Sequence, residues 1–242
     1  MSNAIAPLHM VQMQMSSRDL ARSAKTQNIP TSANDVGYAL HGQLAALFGN
    51  LAPKPFRAIE RKGFVTVLGY GSADQRALRD QMDIVAEPFD QRSLRDLATK
   101  TMPEAWPKDR RLGFEVRVCP TIRQGSKELD VYLSTVQRLE KGETADAREH
   151  VYGQWLARKL AGAAELTSCR MDRFRLIQLF RRHQDRSTKG RKTSRPMFPE
   201  AVLQGDLTIQ DGAAFAKLLA RGIGRHRAFG FGMLLLRPPS RS

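Results

Sequence analysis

An amphipathic helix set between strand-like stretches near the start of the chain limits the folds open to it. In DVGYALHGQLAALFG (residues 35–49), Val36, Leu40, Leu44, Leu47 and Phe48 recur at helical spacing. Asn34 or Asp35 can cap its start, and Gly49 and Pro53 end it. Before it, residues 5–15 read as a strand. Residues 16–34 are polar, contain Pro30, and read as a loop or insertion. After it, FRAIE and GFVTVLGY read as a hairpin turning at Arg61, Lys62 and Gly63. A short helix, residues 73–79, and a strand near residues 82–86 complete the order β-α-β-β-α-β. That order is the ferredoxin-like pattern, also the frame of RNA-recognition (RRM-like) domains.

The second half repeats the order loosely. LGFEVRVCPTI is a strand and REHVYGQWLARKLAG a helix, with Val151, Trp155, Leu156 and Leu160 as its stripe and Gly162 at its end. ELTSCRMDRFRLIQLFRR and AVLQGDLTI read as long strands around a loop rich in Lys, Arg and Ser. Asp211 then caps GAAFAKLLARG, and MLLLR is the closing strand. The expected fold is α+β, two tandem ferredoxin-like domains, over residues 1–90 and 112–242. The proline- and charge-rich residues 91–111 are expected to link them.

Charge narrows the function. The 242 residues carry 39 Lys and Arg against 24 Asp and Glu, a net charge of +15. Such an excess suits a polyanion, and nucleic acid comes first because phosphates reward Lys and Arg by counterion release. No apolar run is long enough to span a bilayer, and the N-terminus lacks a signal-peptide pattern, so a cytoplasmic polyanion is favoured over a membrane. Cys119 and Cys169 form no Cys-x-x-Cys pair and read as small core residues. No pair of histidines and no carboxylate cluster has metal-ligand spacing, so neither metal nor cofactor is expected.

Three groups of residues stand out. The stretch GIGRHRAFGFG places Gly222, Gly224, Gly230 and Gly232 around Arg225, His226 and Arg227. Glycines allow close approach and left-handed backbone, and N–H groups of such a loop can cradle phosphate. It precedes a strand, so it is no dinucleotide fingerprint, and it lacks the ending of a P-loop. A helix C-cap and a tight turn would explain one or two of its glycines. From Arg170 to Arg195 there are ten Lys or Arg residues, among them Arg170, Arg173, Arg175, Arg181, Arg182, Lys189, Arg191 and Lys192. Alternation of Arg173 and Arg175 with Phe174 and Leu176 puts cations on one strand face and apolar side chains on the other. Last, Tyr38 and His41 lie three positions apart on the amphipathic helix of residues 35–49, hence side by side.

These residues carry a family resemblance. The run AVLQGDLTIQDGAAFAKLLARGIGRHRAFGFGMLLLRP resembles the C-terminal signature of CRISPR repeat-processing endoribonucleases of the CasE type. DVGYALHGQLAALFG is similar to their first helix, and GFEVRVCPT to their mid-chain strand. The resemblance covers both ends and the middle, apart from residues 16–34, 90–111 and roughly 125–145. It implies two ferredoxin-like domains and metal-independent cleavage on the 3′ side of a repeat stem-loop. The partners it implies are the repeat hairpin and other Cas proteins of a multisubunit effector complex. In such chemistry a ribose 2′-OH attacks the adjacent phosphorus and the 5′ oxygen leaves, giving a cyclic or 3′ phosphate and a 5′-OH. The resemblance assigns the acid–base role to His41, with Tyr38 orienting the 2′-OH or phosphate. Cations to neutralise the phosphorane would be Arg18 and Arg22, or Arg225 and Arg227. Two departures from the family bear on this: the longer segment before the Tyr/His helix, and the Arg-His-Arg of the loop, through which His226 could share the role. Rival readings are a repeat-binding subunit that does not cut and a general basic RNA-binding protein of the same fold.

Overall fold

A computed structural model of the chain describes residues 7–26, 36–125, 127–139, 144, 146–179, 181–184, 191–194 and 196–240. Its first strand, β1 (His9–Ser16), alternates buried Val11, Met13 and Met15 with more exposed neighbours, as a strand with one covered face must. The polar segment that follows is not all loop: Ser17–Thr26 forms helix α1. Ser16 Oγ accepts from the Asp19 N–H at 3.2 Å, and Leu20, Ser23 and Ala24 form the buried face. With a single large apolar residue, that stripe is too faint for periodicity to reveal. The expected Tyr/His helix is α2 (Val36–Phe48); its expected caps Asn34 and Asp35 lie outside the described residues.

Strands β2 (Phe56–Arg61) and β3 (Phe64–Gly71) form the expected hairpin. Residues 82–86 are not a strand but the end of helix α3 (Gln75–Val85), capped by Asp74. Ile84 and Val85 look strand-like because they are β-branched, yet Ile84 is 79 % exposed on the last turn. After α4 (Pro88–Ser93), the true fourth strand is β4 (Leu94–Thr101), inside the segment expected to be linker. It is an edge strand with only Leu97 buried, and charged edge strands show little hydrophobic alternation. The first sheet has the order β2-β3-β1-β4, all antiparallel.

The second half contains β5 (Arg111–Val118), a small hairpin β6 (Thr121–Gln124) and β7 (Lys127–Asp130), α5 (Val131–Val136) and the expected helix α6 (Arg148–Leu160). Next come β8 (Ala164–Gln178), β9 (Arg181–Gln184), β10 (Arg191–Ser194), β11 (Met197–Ile209), α7 (Gly212–Arg221) and β12 (Leu234–Arg237). The segment expected as a basic loop thus contains a two-stranded ribbon, β9 with β10. The second sheet runs β12-β5-β11-β8. With each set numbered from its own first strand, both sheets read 4-1-3-2, the antiparallel arrangement of a ferredoxin-like domain. The duplication therefore holds in topology as well as element order.

Each sheet buries one face against its own helices. Met13, Leu40, Leu44, Phe48 and Val67 centre the first core; Phe114, Trp155, Leu203, Phe215 and Leu219 centre the second. The halves are also joined directly. Tyr70 of β3 is buried in the second core, and its hydroxyl donates to the Leu234 carbonyl at 3.0 Å. Burial pushes the Tyr70 phenol up, so it stays a donor. This junction sets the Tyr/His helix against the glycine-rich loop.

Candidate functional site

The site grows from the way α7 ends. Gly222 caps it with φ of 73°, its N–H bonding the Leu218 carbonyl at 2.7 Å. The chain then loops out and returns where the Ile223 N–H bonds the Gly232 carbonyl at 2.8 Å; the Gly232 N–H bonds the Arg117 carbonyl at 2.7 Å. Gly224, Gly230 and Gly232 also have positive φ. The glycines serve packing as well as backbone: a Cβ on Gly222 would meet Pro55 at 2.7 Å, and one on Gly232 would meet the Ile223 carbonyl oxygen. Four of the loop N–H groups (Gly222, Ile223, Phe229, Gly232) bond carbonyls of the protein itself. The loop is therefore a closed, docked element.

Its tip rests on α2. The carbonyl of Phe229 sits where a Cβ on Gly37 would be, and the Phe229 ring stacks on Tyr38 with centroids 5.4 Å apart and an interplanar angle of 11°. The same ring meets His41 edge-on at 5.3 Å; Tyr38 and His41 themselves are 6.4 Å apart. Tyr38, His41 and the glycine-rich loop, expected from sequence as separate signals, thus form one site. His41 keeps an exposed edge. Partial burial, and then the nearby charge of Lys54, hold its pKa below the ordinary imidazole value. Sequence reading missed Lys54. Its signal was its place between Pro53 and Pro55, both buried, which present the lysine outward.

His226, the second candidate for the acid–base role, is packed within the loop. At φ of 60° its side chain is 7 % exposed, with Nε2 3.0 Å from Glu128 Oε1 and the ring among Phe198, Phe229 and Phe231. Arg225 Nε lies 2.9 Å from the same oxygen. Glu128, on β7, therefore anchors the loop through both neighbours. Arg227 donates to the Arg221 carbonyl at 2.5 Å.

The exposed face of the second sheet is a polar lattice. Glu115 accepts from Arg57 at 3.1 Å and from Gln204 at 3.3 Å, and Gln204 accepts from Arg170 at 2.9 Å and Arg237 at 3.3 Å. Glu200 holds Arg117 at 2.6 Å and Arg175 at 3.1 Å. Burial alone would raise the Glu200 carboxyl, but hydrogen bonds and charge from Arg117 and Arg175 overcome it and leave its pKa low. Arg170 joins the face of Arg173 and Arg175 because a register shift lets Val202 pair Arg173 while Leu203 pairs Met171, leaving Asp172 as the extra residue. Arg57, Arg61, Arg117, Arg173 and Arg175 wall a cleft of about 240 Å³ that reaches Val36 and Gly37 at the start of α2. On the opposite face the apolar side of β8 is not fully covered as the alternation suggests: Leu176 is 56 % exposed, and Phe174 is covered in part by the Arg148 guanidinium at 4.3 Å.

The other expected RNA contacts fall outside this cluster. Arg18 and Arg22 are exposed one turn apart on α1. Arg181, Arg182, Arg191 and Lys192 belong to the β9–β10 ribbon, and Lys189 lies outside the described residues. Among the described residues, no group of three or more His, Cys, Asp or Glu side chains is placed to hold a metal, and no helix is long and apolar enough to cross a membrane.

The fold and site define a class: paired ferredoxin-like domains with a glycine-rich loop of the second docked on an aromatic–histidine helix of the first. A family profile described as CRISPR associated protein matches residues 8–238, and the chain belongs to that family. Among solved structures it is similar to the CRISPR endoribonuclease Cse3 bound to 19 nt RNA, with 16% identity over 96% of this chain and 100% of that one, TM-score 0.63. It is also similar to Cas6e from Escherichia coli str. K-12, with 22% identity, coverage of 95% and 99%, and TM-score 0.56. A chain of a CRISPR RNA-guided surveillance complex matches with 18% identity, coverage of 94% and 98%, and TM-score 0.52. No curated protein matches by sequence.

Proposed function

We propose that this protein binds the hairpin of a CRISPR repeat and cuts the precursor RNA at the 3′ base of the stem without a metal ion. The observation that carries the proposal is the convergence, at the domain junction, of His41 and Tyr38 with Phe229 of the glycine-rich loop, next to a cleft walled by five arginines. The polar face bearing Arg170, Arg173 and Arg175 suits the phosphates of a duplex gripped by shape. His41, its pKa held low, is neutral near pH 7 and suited to take the proton of the attacking 2′-OH. The electron pair of that oxygen forms the new bond to phosphorus as the bond to the 5′ oxygen breaks, and the departing oxygen takes a proton from water to leave as the 5′-OH. Tyr38 orients the ribose or the phosphate. Lys54, whose charge acts on His41, supplies positive charge toward the developing phosphorane. Likeness to the surveillance-complex chain supports a second part of the proposal: the protein remains on its product RNA among other Cas proteins.

The test is cleavage of a labelled repeat hairpin in EDTA by the wild type and by His41→Ala. A single cut at the stem base, slowed at least about 100-fold in the variant with hairpin affinity retained, is expected. Cutting that survives the substitution overturns the role of His41. Hairpin binding with no cutting by either protein makes this a repeat-binding subunit, and cutting only with added Mg²⁺ overturns metal independence.

A further inference from the structure

A second basic concavity, distinct in its lining from the arginine cleft, is walled by the start of the glycine-rich loop. It has a volume of about 630 Å³, and its rim carries Arg123, Lys159, Arg221, Arg225 and Arg227. Among the described residues no carboxylate lines it; Glu128 engages Arg225. Its floor differs from that of the arginine cleft. Ile122, Trp155 and Leu218 give it apolar ground, whereas arginines and two glutamates dominate the arginine cleft. Lys159 stands over the Trp155 ring, 5.8 Å from its centroid. A cationic rim over an apolar floor suits unpaired nucleotides, whose bases need apolar cover while their phosphates need charge. A duplex keeps its base faces stacked inside and offers none of them to such a floor.

The second concavity lies along the segment that leads to the Tyr38/His41 cluster. Residues 222–225 and 227 line it, and Phe229, two positions further on, stacks on Tyr38 beside His41. A strand leaving the scissile phosphate across the loop therefore runs into it. We infer that this concavity holds the single-stranded RNA on the 3′ side of the cut. The inference rests on the proposed cleavage at the base of the stem: the nucleotide before the cut is then paired and held with the duplex, so only the segment after it is free to cross the loop. On this account the site helps bind precursor RNA and lets go of the cut-off segment, while the hairpin product keeps its own contacts.

The experiment compares binding of three RNAs blocked at the cut by a 2′-deoxy nucleotide: a hairpin ending at the cut, the same hairpin with eight nucleotides added 3′, and the same with eight added 5′. The variant is Arg123→Gln/Lys159→Gln/Arg221→Gln, which leaves the arginine cleft and the loop anchors intact. The 3′-extended RNA is expected to bind the wild type more tightly than the bare hairpin, and the variant is expected to lose about 10-fold on that RNA alone. Its log affinity should also depend less steeply on log salt, by about 2 for three lost phosphate contacts on a single strand. Equal losses on all three RNAs, a loss that follows the 5′ extension, or no loss at all each overturn the inference. Failure of the wild type to bind any hairpin shows separately, in the first comparison, and removes the proposed function along with it.

Discussion

The rings of Phe229 and Tyr38 lie nearly parallel, centroids 5.4 Å apart, and this contact ties the glycine-rich loop of the second domain to the helix of the first that carries His41. Neither domain alone has both walls of the site. Its geometry therefore depends on the docking of two independently cored units, and residues that only adjust that docking should act on rate.

Phe229 is the direct case. Phe229→Ala removes a stack on Tyr38 and an edge contact with His41, aromatic pairs worth roughly 0.5–1.5 kcal/mol each, from a residue that is only partly buried. The fold should survive. Single-turnover cleavage should drop about 100-fold, the scale of a 1 Å misplacement of a reacting group, while Phe229→Tyr keeps most of the rate. A Phe229→Ala protein that cuts at the wild-type rate would show that the stack does not position the site. Gly37→Ala tests the same contact from the other side, since its Cβ would collide with the Phe229 carbonyl oxygen; it should give a similar loss.

Lys54 should contribute to the position of the acid limb of the pH–rate profile. Partial burial and the Lys54 charge both lower the His41 pKa, so the base form persists to a pH below the ordinary imidazole value of about 6.5. Lys54→Gln removes the second cause. The His41 pKa should rise, the acid limb should move to higher pH, and cleavage should fall near pH 6 while staying close to wild type at pH 8, apart from any uniform loss of charge stabilisation. The NMR titration of the His41 ring proton measures the same shift without RNA. A limb that moves to lower pH, or a ring pKa unchanged by the substitution, contradicts the assignment.

Glu128 should act on the site through the loop, as a positioning residue. It holds both His226 and Arg225 at about hydrogen-bond distance, and His226 occupies a left-handed backbone conformation unusual for a side chain with a Cβ. With Glu128→Ala the loop loses its anchor on β7. Cleavage should slow about 10-fold, with hairpin affinity within twofold and the pH–rate limb of His41 in place. His226→Ala should mimic it. If His226 instead traded protons with substrate, its removal would change the shape of the pH profile as well as its height.

What the sequence makes legible follows the strength of burial. The helix bearing Tyr38 and His41 shows in the sequence because Leu40, Leu44, Leu47 and Phe48 are all buried and all large. Strand β11 shows for the same reason: it is central and covered almost throughout. The charged edge strand β4 and the helix α1 bury little and are hidden in polar text. The glycines of the loop announce an unusual backbone. That four of them serve a docked, internally bonded loop follows only from contacts with Pro55, Phe56, Trp155 and Gly37, which are distant in sequence. Lys54 and Glu128 were missed for the same reason: a charge gains its role from neighbours that folding supplies.

The last prediction concerns Glu200, the hub of the arginine cleft. Its side chain is 3 % exposed and that of Arg117 11 %, so truncating one partner leaves a charge with little water to replace the lost pair. Glu200→Ala should cost about 3–5 kcal/mol in unfolding free energy by denaturant titration. The pH dependence has a definite sign. The folded carboxyl titrates below its unfolded value of about 4.3, so its contribution is complete above that value and fades as pH falls through the lower, folded pKa. The wild type should therefore lose stability faster than Glu200→Gln as pH drops below about 4.3, and the two curves should converge in acid. The effect should also reach the site. The Arg117 carbonyl accepts from the Gly232 N–H at 2.7 Å, and its guanidinium covers the Phe231 ring at 4.3 Å. Loosening Arg117 loosens the base of the glycine-rich loop, and cleavage should slow under conditions where the variant is still fully folded. A Glu200→Gln protein with the wild-type stability profile from pH 3 to 7 would mean the three charges are exchangeable with water and the cleft is not a built feature.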